Sequence, residues 1–257
     1  MNKEFEITTI KSLTDNYIWI LRNNSDNLTA VIDPGESDSV NKTLKKNQWD
    51  LNQIINTHHH YDHTDGNSKL KEKWNAELVA PKQEKNKIPN IDIEVKDGDL
   101  INLAGLKAKV IHTPGHTIGH VVYYLEKEKI LFAGDTIFSL GCGRVFEGSM
   151  EDMYLSLKKI KNLDPKTLIY CGHEYTENNL KFAKEVEKEN SDFNFFSNKI
   201  FNLKELDLPT IPTVLEDELK CNPFLRTNNP NIALYFGVSN YSDLEIFSKL
   251  RDLKDRF

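Results

Sequence analysis

The run Thr57-His58-His59-His60-Tyr61-Asp62-His63 places His58, His60, Asp62 and His63 within seven residues, and no packing requirement calls for so many imidazoles beside a carboxylate. Imidazole nitrogen and carboxylate oxygen are donors that suit zinc, iron or manganese. The spacing His-x-His-x-Asp-His can serve two adjacent ions from one short loop, so metal-assisted hydrolysis is the chemistry to look for. All eight histidines lie between His58 and His173, which confines that chemistry to the first two thirds of the chain. Three further segments carry ligand types: Thr113-Pro114-Gly115-His116, Ala133-Gly134-Asp135-Thr136 and Cys171-Gly172-His173-Glu174. Each follows a strand-like run, and glycine beside the ligand permits the sharp turn and close approach of a metal pocket. Alone, any of them is the mark of a hydrogen-bonded turn; together they point to one site. His59 faces away from its neighbours if the loop is extended. With His112 and His120 it reads as a hydrogen-bonded or packing residue, the functional alternative being support of a ligand.

The elements that must position these residues are mostly strands. Candidates are Tyr17 to Leu21, Thr29 to Ile32, Gln53 to Asn56, Glu77 to Val79, Lys107 to Ile111, His120 to Leu125, Lys129 to Phe132 and Thr167 to Tyr170, set off by breakers such as Asp33-Pro34-Gly35. Asp65 to Asn75 and Met150 to Asn162 read as helices between them, which predicts an α/β protein with sheets packed inside helices. After Gly172 the texture turns helical and charged, and the expected division is a catalytic domain over 1–173 and a helical, substrate-binding domain over 174–257. Leu180, Ala183 and Val186 lie at helical spacing in 174–190. Thr213-Val214-Leu215-Glu216 and Ser242-Asp243-Leu244-Glu245 read as capping boxes, the second followed by Ile246, Phe247, Leu250 and Leu253 on one face. The Lys/Glu-rich stretches at 69–73, 82–87 and 181–189 read as solvated faces.

Composition bounds the rest. A hydrophobic share of 39% and a charged share of 28% in 257 residues are those of a globular protein. A net charge of −6 argues against nucleic acid, whose binders carry a basic face. Three scattered cysteines do not resemble a disulfide framework, and the N-terminus lacks the apolar run of an export signal. A cytoplasmic monomer without a membrane partner is the expectation.

The ordered set His58-x-His60-x-Asp62-His63, His116, Asp135 and His173 resembles the metallo-β-lactamase superfamily. That resemblance implies an αβ/βα sandwich and two divalent metal ions, zinc first and iron or manganese as alternatives. It also implies that His58, His60 and His116 hold one ion, that Asp62, His63 and His173 hold the other, and that Asp135 bridges both. Asp62 and Asp135 are then the catalytic carboxylates, with a metal-bridging hydroxide as nucleophile.

Within that superfamily the chain is most similar to the glyoxalase II family, the hydroxyacylglutathione hydrolases, over nearly its whole length. The likeness rests on Leu13-Thr14-Asp15-Asn16-Tyr17, the turn Gly141-Cys142-Gly143-Arg144-Val145-Phe146-Glu147-Gly148, Gly172-His173-Glu174-Tyr175-Thr176, Pro212 to Leu219, and Asn222-Pro223-Phe224-Leu225-Arg226. It implies hydrolysis of S-(2-hydroxyacyl)glutathione, S-lactoylglutathione above all, to glutathione and D-lactate in methylglyoxal detoxification. Carboxylates of glutathione want cationic partners, and Arg144, Phe146, Tyr175 and Arg226 match the family's substrate contacts. Phe146 departs from members with a tyrosine there, and Asn229 stands near where some carry a lysine. The rivals are a persulfide dioxygenase-like enzyme of the same superfamily, against which the helical tail speaks, and a non-catalytic metal-binding protein, against which the complete ligand set speaks.

Overall fold

The computed structural model describes residues 4–257. Two six-stranded sheets stack face to face. The first runs in spatial order β1 (Phe5–Ser12), β2 (Asn16–Asn23), β3 (Leu28–Ile32), β4 (Gln53–Ile55), β5 (Glu77–Pro81) and β6 (Ile93–Val95). The second begins at one edge with β7 (Leu100–Leu103) and continues through β8 (Leu106–His112), β9 (Val121–Leu125) and β10 (Ile130–Gly134). A small hairpin, β11 (Ile137–Phe138) with β12 (Gly141–Cys142), stands beside it, and β13 (Leu168–Cys171) and β14 (Thr213–Val214) complete the second sheet beyond β10.

Strand β2 shows why the layers form. Its side chains alternate between faces, so Tyr17, Trp19 and Leu21 enter the core between the sheets, while Ile18 and Ile20 pack outward against Val40 of α1 (Asp38–Asn47) and Leu70 of α3 (Asn67–Trp74). A short α2 (Tyr61–Thr64) lies between those helices. The second sheet does the same: Val110, Tyr123 and Phe132 face the first sheet, whereas Val122, Leu131 and Ile169 face outward onto Met153, Leu157 and Ile160 of α4 (Met150–Lys161). Each such aliphatic side chain, fully buried, contributes about 1.5–3 kcal/mol. Burial on both faces explains why these strands read as continuous apolar runs. The result is the expected αβ/βα sandwich.

Beyond β13 the chain is helical: α5 (Thr176–Val186), α6 (Asp192–Glu205), α7 (Leu215–Cys221), α8 (Pro230–Tyr235) and α9 (Asp243–Asp255). Ser242 caps α9 through Glu245 as its sequence predicts, and Ser149 caps α4 through Asp152 in the same way. The other expected capping box is not one. Thr213 pairs with Ile169 of β13, its hydroxyl donates to Glu218 Oε1 at 2.7 Å, and the residue preceding α7 is Val214, which has no side-chain cap. Among the described residues no helix is long and apolar enough to cross a membrane.

Candidate active site

Strand direction gathers the ligand loops. β8 and β10 both run antiparallel to β9, and β13 runs parallel to β10. The loops after β8, β10 and β13 therefore leave the same edge of the second sheet. The β4 loop joins them from the first sheet, anchored where Val121 N donates to Thr57 O at 3.0 Å. Tyr17 N likewise donates to Gly172 O at 2.7 Å. Gly172 presses against the ligand side chains: a Cβ there would lie 2.4 Å from Asp135 Oδ1 and 2.7 Å from His63 Cε1, so no side chain fits.

His58, His60, Asp62, His63, His116, Asp135 and His173 converge. Donor atoms of His58, His60 and His116 form one group and those of Asp62, His63 and His173 another, each within 4.8 Å. The Asp135 carboxylate lies between them: Oδ2 is 3.4 Å from His116 Nε2 and 3.2 Å from His173 Nε2, and Oδ1 is 3.5 Å from His63 Nε2. Within the first group, His60 Nδ1 lies 3.1 Å from His58 Nε2 and 2.9 Å from His116 Nε2.

Outer contacts fix which nitrogen of His116 and His173 faces inward. His116 Nδ1 donates to Arg144 O at 2.9 Å, and His173 Nδ1 to Asp15 Oδ1 at 2.8 Å, which leaves both Nε2 atoms free. His63 Nδ1 faces Asp33 Oδ2 at 3.1 Å, in contact but off the line of a hydrogen bond. The same Asp33 accepts from Thr57 N and Oγ1. Asn16 Nδ2 donates to Asp62 Oδ2 at 2.9 Å. His120 is no ligand: its Nε2 accepts from Asp135 N at 3.1 Å, and its ring stacks on His58 at 4.8 Å. His112 bonds Ile118 O.

The electrostatics match this division. Burial, then neighbouring imidazoles, holds His58 well below the usual histidine value and His60 at about 4, so both are neutral bases ready to donate lone pairs. Burial likewise lowers His116, despite the opposing pull of Asp135. Burial also lowers His63 and His173, but Asp135 with Asp33 or Asp15 outweighs it, raising His63 and lifting His173 to about 9. Burial pushes Asp135 up, yet the charges of His173 and His63 win and keep its carboxyl well below the usual range. Its Oδ1 is buried with no hydrogen-bond partner. An orphaned carboxylate oxygen among inward-facing imidazole nitrogens fits divalent cations, which would take the place of the competing protons.

The centre opens into a cavity of about 560 Å³ walled by Arg144, Phe146, Tyr175, Arg251, Lys254 and Phe257 among others. Phe146 sets its ring 5.2 Å from that of His116, and Tyr175 stacks on His173 at 4.8 Å. Arg144 is exposed, with Nε 3.7 Å from Asp255 Oδ1. Cys142 lines the wall with its thiol pushed by burial up to about 11, so it is no nucleophile at neutral pH.

Arg226 is not among the cavity-lining residues. Its guanidinium donates to both oxygens of Glu187, at 3.1 and 2.5 Å, and Asn229 Nδ2 donates to the same carboxylate at 2.6 Å. Glu187 is buried, although its Lys/Glu-rich stretch reads as solvated; Glu84, in another such stretch, is buried as well. Arg226→Ala should therefore act on stability: stranding a buried carboxylate costs about 3 kcal/mol or more. Thermal unfolding should show the loss while KM for the substrate changes little. The cavity cations that sequence reasoning passed over are Arg251 and Lys254. Both lie near the end of α9, four residues after Phe247 and Leu250 respectively, so they continue the buried face of the helix where its apolar pattern gives out, and Arg251 donates to Cys142 O at 2.8 Å.

Comparison with known proteins places these features. The family model described as "Metallo-beta-lactamase superfamily" matches residues 13–173, and "Hydroxyacylglutathione hydrolase C-terminus" matches 174–257. A hydroxyacylglutathione hydrolase of Pelagibacter ubique (strain HTCC1062) is 45% identical over 98% of this chain and 100% of its own. One from Maricaulis maris (strain MCS10) is 40% identical over 99% of each. Among solved structures, ETHE1 from Myxococcus xanthus shares the fold with a TM-score of 0.67 at 20% identity, covering 96% of both chains.

Proposed function

Since this chain belongs to the hydroxyacylglutathione hydrolases of the metallo-β-lactamase superfamily, we propose that its cavity holds S-lactoylglutathione with the thioester against the His/Asp centre and the peptide along Arg144, Tyr175 and Lys254. The protein is a thioester hydrolase that cleaves S-(2-hydroxyacyl)glutathione to glutathione and a 2-hydroxy acid, D-lactate for the lactoyl substrate. The observation that carries the finer reading is a carboxylate, Asp135, set between two ligand groups in a cavity whose wall also carries Arg144 and Lys254.

His58, His60 and His116 would hold one divalent ion, Asp62, His63 and His173 the other, with Asp135 shared. Ions bound there supply Lewis-acid polarisation of the thioester carbonyl and a water acidic enough to ionise near neutral pH. Zinc suits the nitrogen-rich first group, and iron or manganese suits the mixed second group as well. The chain's own residues do the rest. Asn16 fixes Asp62 and Asp15 fixes His173, so the second group keeps its geometry as substrate enters. Phe146 and Tyr175 offer flat walls that exclude water beside the scissile bond. Because a thiolate leaves readily, no side chain need protonate it. Arg144 and Lys254 face the carboxylates of the peptide part, with the buried Arg251 held behind them by Asp255 and Cys142 O.

Residues 1–173 as catalytic unit and 174–257 as substrate-binding unit belong to the same reading, supported by the meeting of the two family matches at that point. The working state in this reading is a monomer, whose own α9 supplies Arg251 and Lys254 to the cavity wall. A cytoplasmic setting agrees with three free, buried cysteines.

The test is hydrolysis of S-lactoylglutathione beside a thioester lacking the glutathione moiety, with metal measured on the same preparation. Preference for the glutathione thioester and two ions per chain is expected; equal rates, or full turnover by metal-free protein, would refute the reading. Lys254 adds a pH prediction. Burial, with Arg251 and Arg144 nearby, lowers its ammonium to about 8, so the cation is present below that pH and lost above it. kcat/KM should fall as pH rises through about 8, and in Lys254→Arg, whose guanidinium stays charged, the fall should move to higher pH.

A further inference from the structure

The two ligand groups lean on different parts of the chain. Asp62 and His173 are braced by the β1–β2 turn, where Asn16 Nδ2 reaches Asp62 Oδ2 at 2.9 Å and Asp15 Oδ1 reaches His173 Nδ1 at 2.8 Å. The first group is braced from the opposite side, through the histidine that is not a ligand. His59 Nδ1 lies 2.6 Å from Glu84 Oε2 and its Nε2 lies 3.4 Å from Glu147 Oε1. The other oxygen of buried Glu84 accepts from Thr117 Oγ1 at 2.6 Å and from Gly119 N at 3.1 Å. Glu147 Oε2 accepts from Ile118 N at 3.1 Å. One imidazole, flanked in the chain by His58 and His60, is thus clamped between two carboxylates that both grip the loop after His116. A Cβ on Gly119 would sit 2.7 Å from Glu84 Oε1, so this loop packs directly on the carboxylate.

We propose that the centre has two separate braces: His59, through Glu84, is the positioning residue that sets His58 and His60 against His116, while Asp15 and Asn16 set the other group. The inference rests on the two-ion reading above. Its consequence is that the affinities of the two positions are separable, because outer contacts of this kind are worth roughly 10–100-fold in metal affinity.

The experiment is release of zinc from the fully loaded protein against rising chelator, read as ions retained per chain, with the melting temperature of each metal-free variant as a control for folding. Wild type should release two ions in resolvable steps. His59→Ala should move one step to roughly 10–100-fold lower chelator and leave the other in place. Asn16→Ala should move one step, and the double variant should move both. His59→Gln, whose amide can still reach Glu84, should restore most of the His59→Ala shift; it carries the test if His59→Ala does not fold. A merely structural role for His59 would lower the melting temperature and move both steps together, which overturns the proposal. So does a double variant that moves only one step, since both braces would then serve one ion. A wild type that binds fewer than two ions overturns the two-ion reading itself, a result distinct from two ions lost jointly.

Discussion

Asp135→Ala should strip the centre of its ions and lower kcat by roughly a thousandfold or more, since Lewis-acid stabilisation is worth several kcal/mol and each 1.4 kcal/mol is about tenfold. The Asp135 carboxylate faces both ligand groups: Oδ2 lies 3.4 Å from His116 Nε2 and Oδ1 3.5 Å from His63 Nε2. Truncation also removes the charge that raises His63 and His173. Both rings would then lose their strongest partner. The fold should persist, because the backbone at this position is held independently by the bond from Asp135 N to His120 Nε2. Metal analysis, circular dichroism and steady-state kinetics on one preparation check the three parts. A variant that keeps two ions and wild-type turnover would remove Asp135 from the centre of the mechanism.

Glu218→Ala should lower stability by about 3–4 kcal/mol, seen as a fall in melting temperature of about 10 °C, and should raise KM as a consequence. Glu218 is fully buried, and burial raises its carboxyl above the usual value despite four donors. Those donors are Ser139 Oγ at 3.0 Å, Leu140 N at 2.7 Å, Thr213 Oγ1 at 2.7 Å and Asn222 Nδ2 at 3.0 Å. They come from the hairpin turn, β14 and the end of α7, so one carboxylate ties the helical region to the turn that leads into Gly141-Cys142-Gly143-Arg144. Alanine takes the acceptor from Ser139 Oγ, Leu140 N and Thr213 Oγ1, while Asn222 Nδ2 keeps Phe138 O and Gly141 O. Calorimetry and Michaelis kinetics on the loaded protein measure both effects; an unchanged melting temperature would mean that water replaces the carboxylate at no cost.

The ligands were legible because their side-chain types are scarce and fall at strand ends, where apolar runs give way to glycine. Their braces were not. Asp15, Asn16, Asp33 and Glu84 are common surface residues in sequence; Asp15 and Glu84 reach His173 and the loop after His116 only through the stacking of two sheets, and Asn16 and Asp33 meet Asp62, Thr57 and His63 only through pairing within the first sheet. The misreading of Arg226 has the same root: a motif locates a residue along the chain but does not say where its guanidinium points, and Glu187 sits 39 residues away in a stretch whose charge pattern signals solvent. Thr213 fits a capping box by spacing alone, yet β-pairing with Ile169 claims its backbone first. Ser242, with no sheet to compete, caps its helix as the pattern predicts.

Strand β14 makes the order of synthesis matter. Until Thr213 and Val214 have emerged and paired with Leu168 and Ile169, the strand that leads to His173 is an unprotected sheet edge. An open apolar edge is an invitation to pair with another chain. A nascent or truncated polypeptide ending near His173 would possess all seven ligands and still be vulnerable to intermolecular association, so the last third of the chain serves as guardian of the ligand-bearing sheet before it ever meets a substrate.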